Sequence, residues 1–392
     1  MKIPFVDLHA QYLSIKDEID KAIAEVIAES AYIRGRHVDA FEQAWARTLG
    51  VKRCVSCANG TDAIYIALRG LGLRAGDEVI TSAHSWISTS EAITQAGGRV
   101  VFCDTDEETF TIDPIEIERK ITPATVGIVP VHLYGQAADM GAIMAIARKH
   151  NLWVIEDCAQ AHLARYNGQY VGTFGNVATF SFYPGKNLGA YGDAGCLVTN
   201  DDRLADWLAT FARHGGKGDH VMEGINSRMD GLQAAILNAK LPHLPAWTAA
   251  RRRVAACYNE LLEDVGDVIT PLVESDRDHV YHLYVIRTEN RGALREHLSE
   301  AGIPTVLNYP KALPFYPAYA YLGHVPQDFP AAYFNQSRIL SLPIYPEMSE
   351  EATTHVADTI AHFWGSESAK VIQLTTANLI AAEARAPVVA DN

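Results

Sequence analysis

The sequence predicts an α/β protein: a mostly parallel central sheet flanked by helices, followed by a smaller C-terminal α+β part. Two observations carry this reading. From about residue 54 to residue 200, short β-branched runs ending in polar residues alternate with helical stretches, the pattern of a sheet covered by helices on both faces. Beyond about Leu241 that alternation gives way to one long helical stretch and fewer, more widely spaced runs. With 392 residues and 48% hydrophobic composition, the chain has ample material for a buried core and for two domains.

Taken in order, the first 50 residues read as helices. Ile15, Ile19, Ile23, Val26 and Ile27 recur at helical spacing, and a second helix is predicted over 38–49. CVSCA (54–58) reads as a strand, and Gly60-Thr61 then opens a helix carrying Ile64, Ile66, Ala67 and Leu68. EVITS (78–82), RVVFCD (99–104), VGIVPVHL (126–133) and LWVIED (152–157) read as further strands, with helices at 88–96, 115–121 and 138–150 between them. TFSFY (179–183) and GCLVTN (195–200) add two strands around a loop that holds Lys186. A long helix is predicted over 247–262, a strand at VYHLYVI (280–286), a helix at 291–301 and a strand-like run at 305–309. The expected division is a large domain over 1–245, a small one over 246–365, and an appended helix or loose tail over 366–392.

Composition narrows the function classes. Charged residues make up 20% of the chain and the formal net charge is −14. This acidic balance, with no basic stripe, argues against a nucleic-acid surface. It leaves room for an anionic substrate held by a local Arg/Lys pocket. The opening MKIPFVDLHAQY has no apolar core of a signal peptide, and no run of about 18 apolar residues occurs, so a cytoplasmic protein without membrane contact is expected. Cys54 and Cys57 form a C-x-x-C, but no second pair completes a metal site. Buried thiols in a reducing compartment, and no metal, are therefore expected.

In a parallel sheet with helical crossovers, ligands sit at the carboxyl ends of the strands. That rule gathers 58–61, 83–86, Asp104 and Asp157 at one rim. Lys186 lies in FSFYPGKNLGAYGDAG (180–195), with Ser181 five residues upstream and Gly189, Gly192 and Gly195 able to bring the backbone close to a ligand. A solvated loop lysine is the plain alternative; a buried one has a lowered pKa and forms an imine with an aldehyde. Asp157 ends a buried strand, where an acid needs a cation or a donor. It either caps the next helix or meets a ring nitrogen that must stay protonated. Gly60 and Thr61 begin a helix whose N–H groups either bind phosphate or are simply capped. Trp86, in AHSWIS (83–88), is either core or a stacking surface. Each signal is weak alone. Together, and in this chain order, they match what pyridoxal phosphate requires: a phosphate cup, a stacking ring, a pyridinium partner and an imine-forming lysine.

These motifs resemble the DegT/DnrJ/EryC1/StrS family of sugar aminotransferases, within the fold type I, aspartate-aminotransferase-like pyridoxal-phosphate enzymes. The resemblance covers roughly residues 3–365 and runs through PFVDL, SCANGTDA, DEVIT, PVHLYGQ, VIEDCAQAH, SFYPGKNLGAYGDAG, NSRMDGLQAAIL and LSLPIYP. It implies that Lys186 holds the cofactor, that Asp157 partners the ring nitrogen and that Gln160 lies near the ring hydroxyl. Gly60, Thr61 and Ser181 would contact the phosphate, and Trp86 would stack on the ring. Asn226 would reach the phosphate of a neighbouring subunit, so a homodimer with shared sites is implied. Glutamate is the implied amino donor. The substrate implied by SFYPGKNLGA is a dTDP-linked 3-keto-6-deoxyhexose; UDP-linked 3-keto uronates and 4-keto-6-deoxy sugar nucleotides are the alternatives. Arg34, His214 and Tyr309 are the candidate diphosphate or sugar contacts. The chain departs from the family pattern at Asn308-Tyr309-Pro310 and Leu313-Pro314, where many relatives carry histidines towards the sugar-nucleotide pocket. A non-catalytic, ligand-binding regulator of the same fold is the remaining alternative.

Overall fold

The computed structural model describes residues 3–216 and 218–365; the expected tail at 366–392 lies outside the described residues. The strands are β1 Arg53–Cys57, β2 Glu78–Ser82, β3 Arg99–Cys103, β4 Thr125–Val129, β5 Trp153–Asp157, β6 Arg165–Tyr166, β7 Gln169–Tyr170, β8 Val177–Ser181, β9 Gly195–Thr199, β10 Arg277–Asp278, β11 Tyr284–Arg287 and β12 Ile339–Leu342. Seven of them form one sheet in the order β1-β9-β8-β5-β4-β2-β3. The run from β8 to β3 is parallel, whereas β9 pairs antiparallel with both β1 and β8.

Alternation along each strand explains why both faces are covered. In β2, Val79 enters one core with Ile64 and Leu68, while its neighbour Ile80 enters another with Ile117 and Ile143. In β5, Ile155 and Val154 divide in the same way. The helix Gly60–Gly70 covers the first face, and the helices Pro114–Lys120 and Met140–His150 cover the second. A third core, including Tyr258, Tyr284, Leu294 and Val356, lies under the β11–β12 pair. The helices Leu244–Leu261, Arg291–Glu300 and Glu350–Phe363 supply residues to it. No described helix is long and apolar enough to cross a membrane.

Two C-terminal expectations change. The run 280–286 is a strand only over Tyr284–Arg287. Upstream, Tyr281 adopts a left-handed φ of 45° and gives its N–H to His279 Nδ1 at 2.8 Å, so the chain turns rather than pairs. The run 305–309 is no strand: Val306 alone bridges to Ser341, and Pro304 and Pro310 close it on both sides. The helices Asp202–Phe211, Gly231–Lys240 and Glu350–Phe363 were not anticipated from sequence.

Candidate active site

The carboxyl ends of the parallel strands open into a cavity of about 690 Å³. Eight of the residues singled out from sequence line it: Gly60, Thr61, Trp86, Asp157, Gln160, Ser181, Lys186 and Tyr309. Asp157, the last residue of β5, is buried, and its carboxylate accepts from Thr89 Oγ1 at 2.8 Å and from the Ala159 amide at 3.1 Å. Lys186 follows β8 by five residues and faces the same cavity. Among the described residues its ammonium has no hydrogen-bond partner. Enclosure by protein lowers its pKa from 10.5 to about 8, and the nearby Asp157 charge opposes that fall.

At one end of the cavity, Asn59 caps the helix Gly60–Gly70 by accepting from the Asp62 amide at 2.8 Å. Thr61 Oγ1 meets Ser88 Oγ at 2.7 Å. Gly60 is required by close approach: a Cβ there would stand 2.7 Å from Ser181 Cβ. The helix start, with its free N–H groups, is thus pressed against the Ser181 hydroxyl. Gly189 and Gly195 answer to protein neighbours, not to a ligand. A Cβ at these positions would lie 2.2 Å from the Pro184 carbonyl oxygen and 2.4 Å from Asn59 backbone atoms, respectively.

Trp86 sits at the mouth, 56% exposed, with its ring 5.4 Å from that of Tyr309. Gln160 is fixed at both ends of its amide: Oε1 accepts from the Tyr134 N–H at 2.7 Å, and Nε2 donates to the Tyr309 hydroxyl at 2.9 Å. Burial, with Asp157 adding to it, raises the Tyr309 pKa. Behind Asp157, the side chain of Glu156 turns to the other face of β5. It takes N–H bonds from Gly172, Phe174 and Gly175 and faces His132 Nε2 at 3.2 Å. His132 Nδ1 accepts from Ala138 N, so Nε2 carries the proton given to Glu156. His132, Glu156 and Cys158 have the spacing of a metal site, but the hydrogen bonds of His132 and Glu156 already occupy their donor atoms.

Three expectations fall elsewhere. Arg34 and His214 line a second hollow of about 840 Å³ with Arg53, Arg213 and Arg228. Asn226 is exposed and bridges to Arg213 beside that hollow. At the same rim as Asp157, the Asp104 carboxylate accepts from the Ala331 and Ala332 amides, both at 2.9 Å, at the start of the helix Pro330–Gln336. Thr89, Ser88, Tyr183 and His282 also line the lysine cavity; Ser88 and Tyr183 lie inside AHSWIS and SFYPGKNLGAYGDAG without a role assigned to them, and no local pattern marks Thr89 or His282 as facing a ligand.

A strand-end acid and a desolvated lysine facing one cavity, beside a helix start and a hydroxyl, define a pyridoxal-phosphate-dependent enzyme of the α/β type. The residues present fit that cofactor. The helix N-terminus with Ser181 suits its phosphate, Asp157 its ring nitrogen and Lys186 its aldehyde. Over residues 13–361 the sequence matches the model of the DegT/DnrJ/EryC1/StrS aminotransferase family, and the chain belongs to that family. It is a pyridoxal-phosphate-dependent aminotransferase. It is 47% identical over 368 residues to a Geobacillus stearothermophilus protein named pleiotropic regulatory protein, covering 93% of this chain and 99% of that one. It is 40% identical to the dTDP-3-amino-3,4,6-trideoxy-alpha-D-glucose transaminase of Streptomyces venezuelae, covering 92% of this chain and 95% of that one. Among solved structures it is similar to S. venezuelae DesV in complex with a ketimine intermediate. The TM-score is 0.90 at 39% identity, covering 94% of this chain and 100% of that one.

Proposed function

We propose that the chain moves an amino group from glutamate to the keto carbon of a nucleotide-linked sugar, working as a two-fold dimer with shared sites. The observation that carries this reading is the pairing of unbonded Lys186 with buried Asp157 in one cavity, beside the start of the helix Gly60–Gly70. Pyridoxal phosphate, when bound, supplies an aldehyde that condenses with amines and a ring that takes up the electron pair left by a broken C–H bond.

The chain's own residues do the rest. Gly60, Thr61 and Ser181 would hold the phosphate, Asp157 the ring nitrogen and Trp86 the ring, and Gln160 has one amide N–H to spare for it. Lys186 would hold the aldehyde between turnovers. Once released, its Nζ would take the proton from the donor's α-carbon and hand it to C4′ in the same half-reaction, and in the return half-reaction it would move a proton the opposite way, from C4′ to the former keto carbon of the sugar. A pKa of about 8 keeps an appreciable neutral fraction near neutral pH.

The lining supports a dTDP-linked 3-keto-6-deoxyhexose. Phe5, Val6, Leu283 and Val306 offer apolar surface for a sugar methyl group. Lys186 is the only Lys or Arg among the described lining residues, so a uronate carboxylate would have to draw its cation from the partner's basic hollow. Tyr309 in the same cavity suits a sugar hydroxyl. Arg34, His214 and Asn226 gather at the second, basic hollow. That grouping supports their acting on the partner's site, with Asn226 on its phosphate and the other two on the substrate diphosphate. A ligand-binding regulator would have no use for a desolvated, unbonded lysine facing an acid.

Purified protein mixed with pyridoxal phosphate should show a yellow band that fades with glutamate and returns on adding the dTDP-linked 3-keto sugar. Lys186→Ala should abolish both the band and turnover; turnover retained in that variant overturns the assignment. Turnover only with a UDP-linked 3-keto uronate, or only with a 4-keto-6-deoxy sugar nucleotide, moves the substrate to that class.

A further inference from the structure

We propose that His282 is a positioning residue for Lys186, presenting an unprotonated Nε2 at the cavity wall to receive a hydrogen bond from the lysine amine whenever that amine is free. The tautomer follows from the neighbours. Asn187 Nδ2 donates to the Val280 carbonyl at 3.0 Å, and a carbonyl can only accept, so the Asn187 amide has one permitted orientation. Its Oδ1 then faces His282 Nδ1 at 3.3 Å, and that ring nitrogen must carry the hydrogen. Nε2 is left with a lone pair and no partner among the described residues, on a ring that lines the lysine cavity. Lys186, the residue adjacent to Asn187, has an ammonium likewise without a partner. A donor lacking an acceptor thus faces the same cavity as an acceptor lacking a donor.

The backbone around His282 is held as a site residue's would be. Arg251 Nη1 donates to the carbonyls of Tyr281 at 3.2 Å, His282 at 3.5 Å and Ile344 at 3.0 Å. Val280 N and Leu283 N donate to Gly135 O and Tyr134 O at 2.9 and 3.2 Å. Tyr281 is kept at positive φ between them. The ring therefore stays neutral and accepting. Burial depresses its pKa well below 6.5, and Lys186, Arg251 and His162 each add to that fall. On the lysine side the charged or titratable groups are Asp157, His162 and His282, with Tyr183, Asp193 and Tyr309 on the same cavity wall. A merely apolar wall at 282 would let the free amine swing away between the removal of the donor's proton and its return.

The inference rests on Lys186 being the cofactor lysine, which the yellow band of the wild-type protein tests separately. The discriminating experiment uses cofactor-free protein. Trace acetic anhydride labels Lys186 across a pH series, and peptide mass spectrometry gives the pH midpoint of its reactivity. An acceptor stabilises the ammonium, so His282→Leu should lower the midpoint by roughly one unit. His282→Gln, whose amide oxygen accepts in turn, should stay within about 0.3 unit of wild type. Asn187→Leu unlocks the tautomer and should lower the midpoint by an intermediate amount; it serves as the readout should His282→Leu fail to fold. Midpoints unmoved in folded His282→Leu, or in Asn187→Leu where the former does not fold, overturn the proposal. Lost thermal stability alone, with no shift, has the same meaning.

Discussion

Replacing Lys186 by Met in the cofactor-free protein should relieve a penalty that depends on pH. The Lys186 pKa is lowered from 10.5 to about 8, burial being the main cause and the Asp157 charge opposing it. A base whose folded-state pKa lies below its unfolded value binds fewer protons when folded, throughout the interval between the two values. The wild-type fold therefore carries the full penalty below about pH 8 and sheds it as the pH climbs towards 10.5. The fall of about 2.5 units corresponds to about 3.4 kcal/mol, at 1.36 kcal/mol per unit. Partial exposure of Lys186 to the cavity trims this to about 2 kcal/mol. Urea unfolding of both proteins between about pH 7 and pH 10.5 measures the effect. The stability of the Met variant minus that of wild type should fall by about 2 kcal/mol across that range. Other lysines and tyrosines titrate equally in both proteins and cancel from the difference. A difference that stays flat with pH, or one that grows, would refute the claim that desolvation governs this lysine.

Gly60→Ala places a Cβ 2.7 Å from Ser181 Cβ; it should separate the helix start from the serine and weaken pyridoxal-phosphate binding about tenfold or more, read from a titration of the visible band. Glu156→Gln leaves one oxygen to accept from the Phe174 and Gly175 amides but turns an NH2 onto the Gly172 amide and the His132 Nε2–H, and should cost about 3 kcal/mol of unfolding free energy by urea denaturation. Mixing inactive Lys186→Ala subunits with inactive Asn226→Ala subunits should restore about a quarter of wild-type turnover, because half the dimers then contain one intact shared site; no recovery would place both residues in one subunit's site.

Much of the fold was legible because alternation and helical spacing report which face of a segment is buried. EVITS (78–82) coincides with β2, and the runs at 99–104 and 152–157 fall on β3 and β5. The lysine cavity was legible for a different reason. The strand-end rule and the chemistry of Gly60, Asp157, Ser181 and Lys186 each point to one rim without knowledge of any long-range contact. Asp104 obeys the same rule, which does not say whether a helix end claims the carboxylate, as the helix Pro330–Gln336 does here.

By itself, then, the sequence determined the strand-and-helix alternation, the order of the chemistry along the chain and the family. Only the tertiary structure decided that β9 runs antiparallel, that Arg34 and His214 share a hollow separate from Lys186, and that Asn187 and His282, 95 positions apart, fix each other's hydrogens. The division has a physical cause. Periodicity and residue type are local quantities, set by backbone geometry and by the cost of burial. The partner of a polar atom is set by where distant segments meet, and no local pattern encodes that meeting.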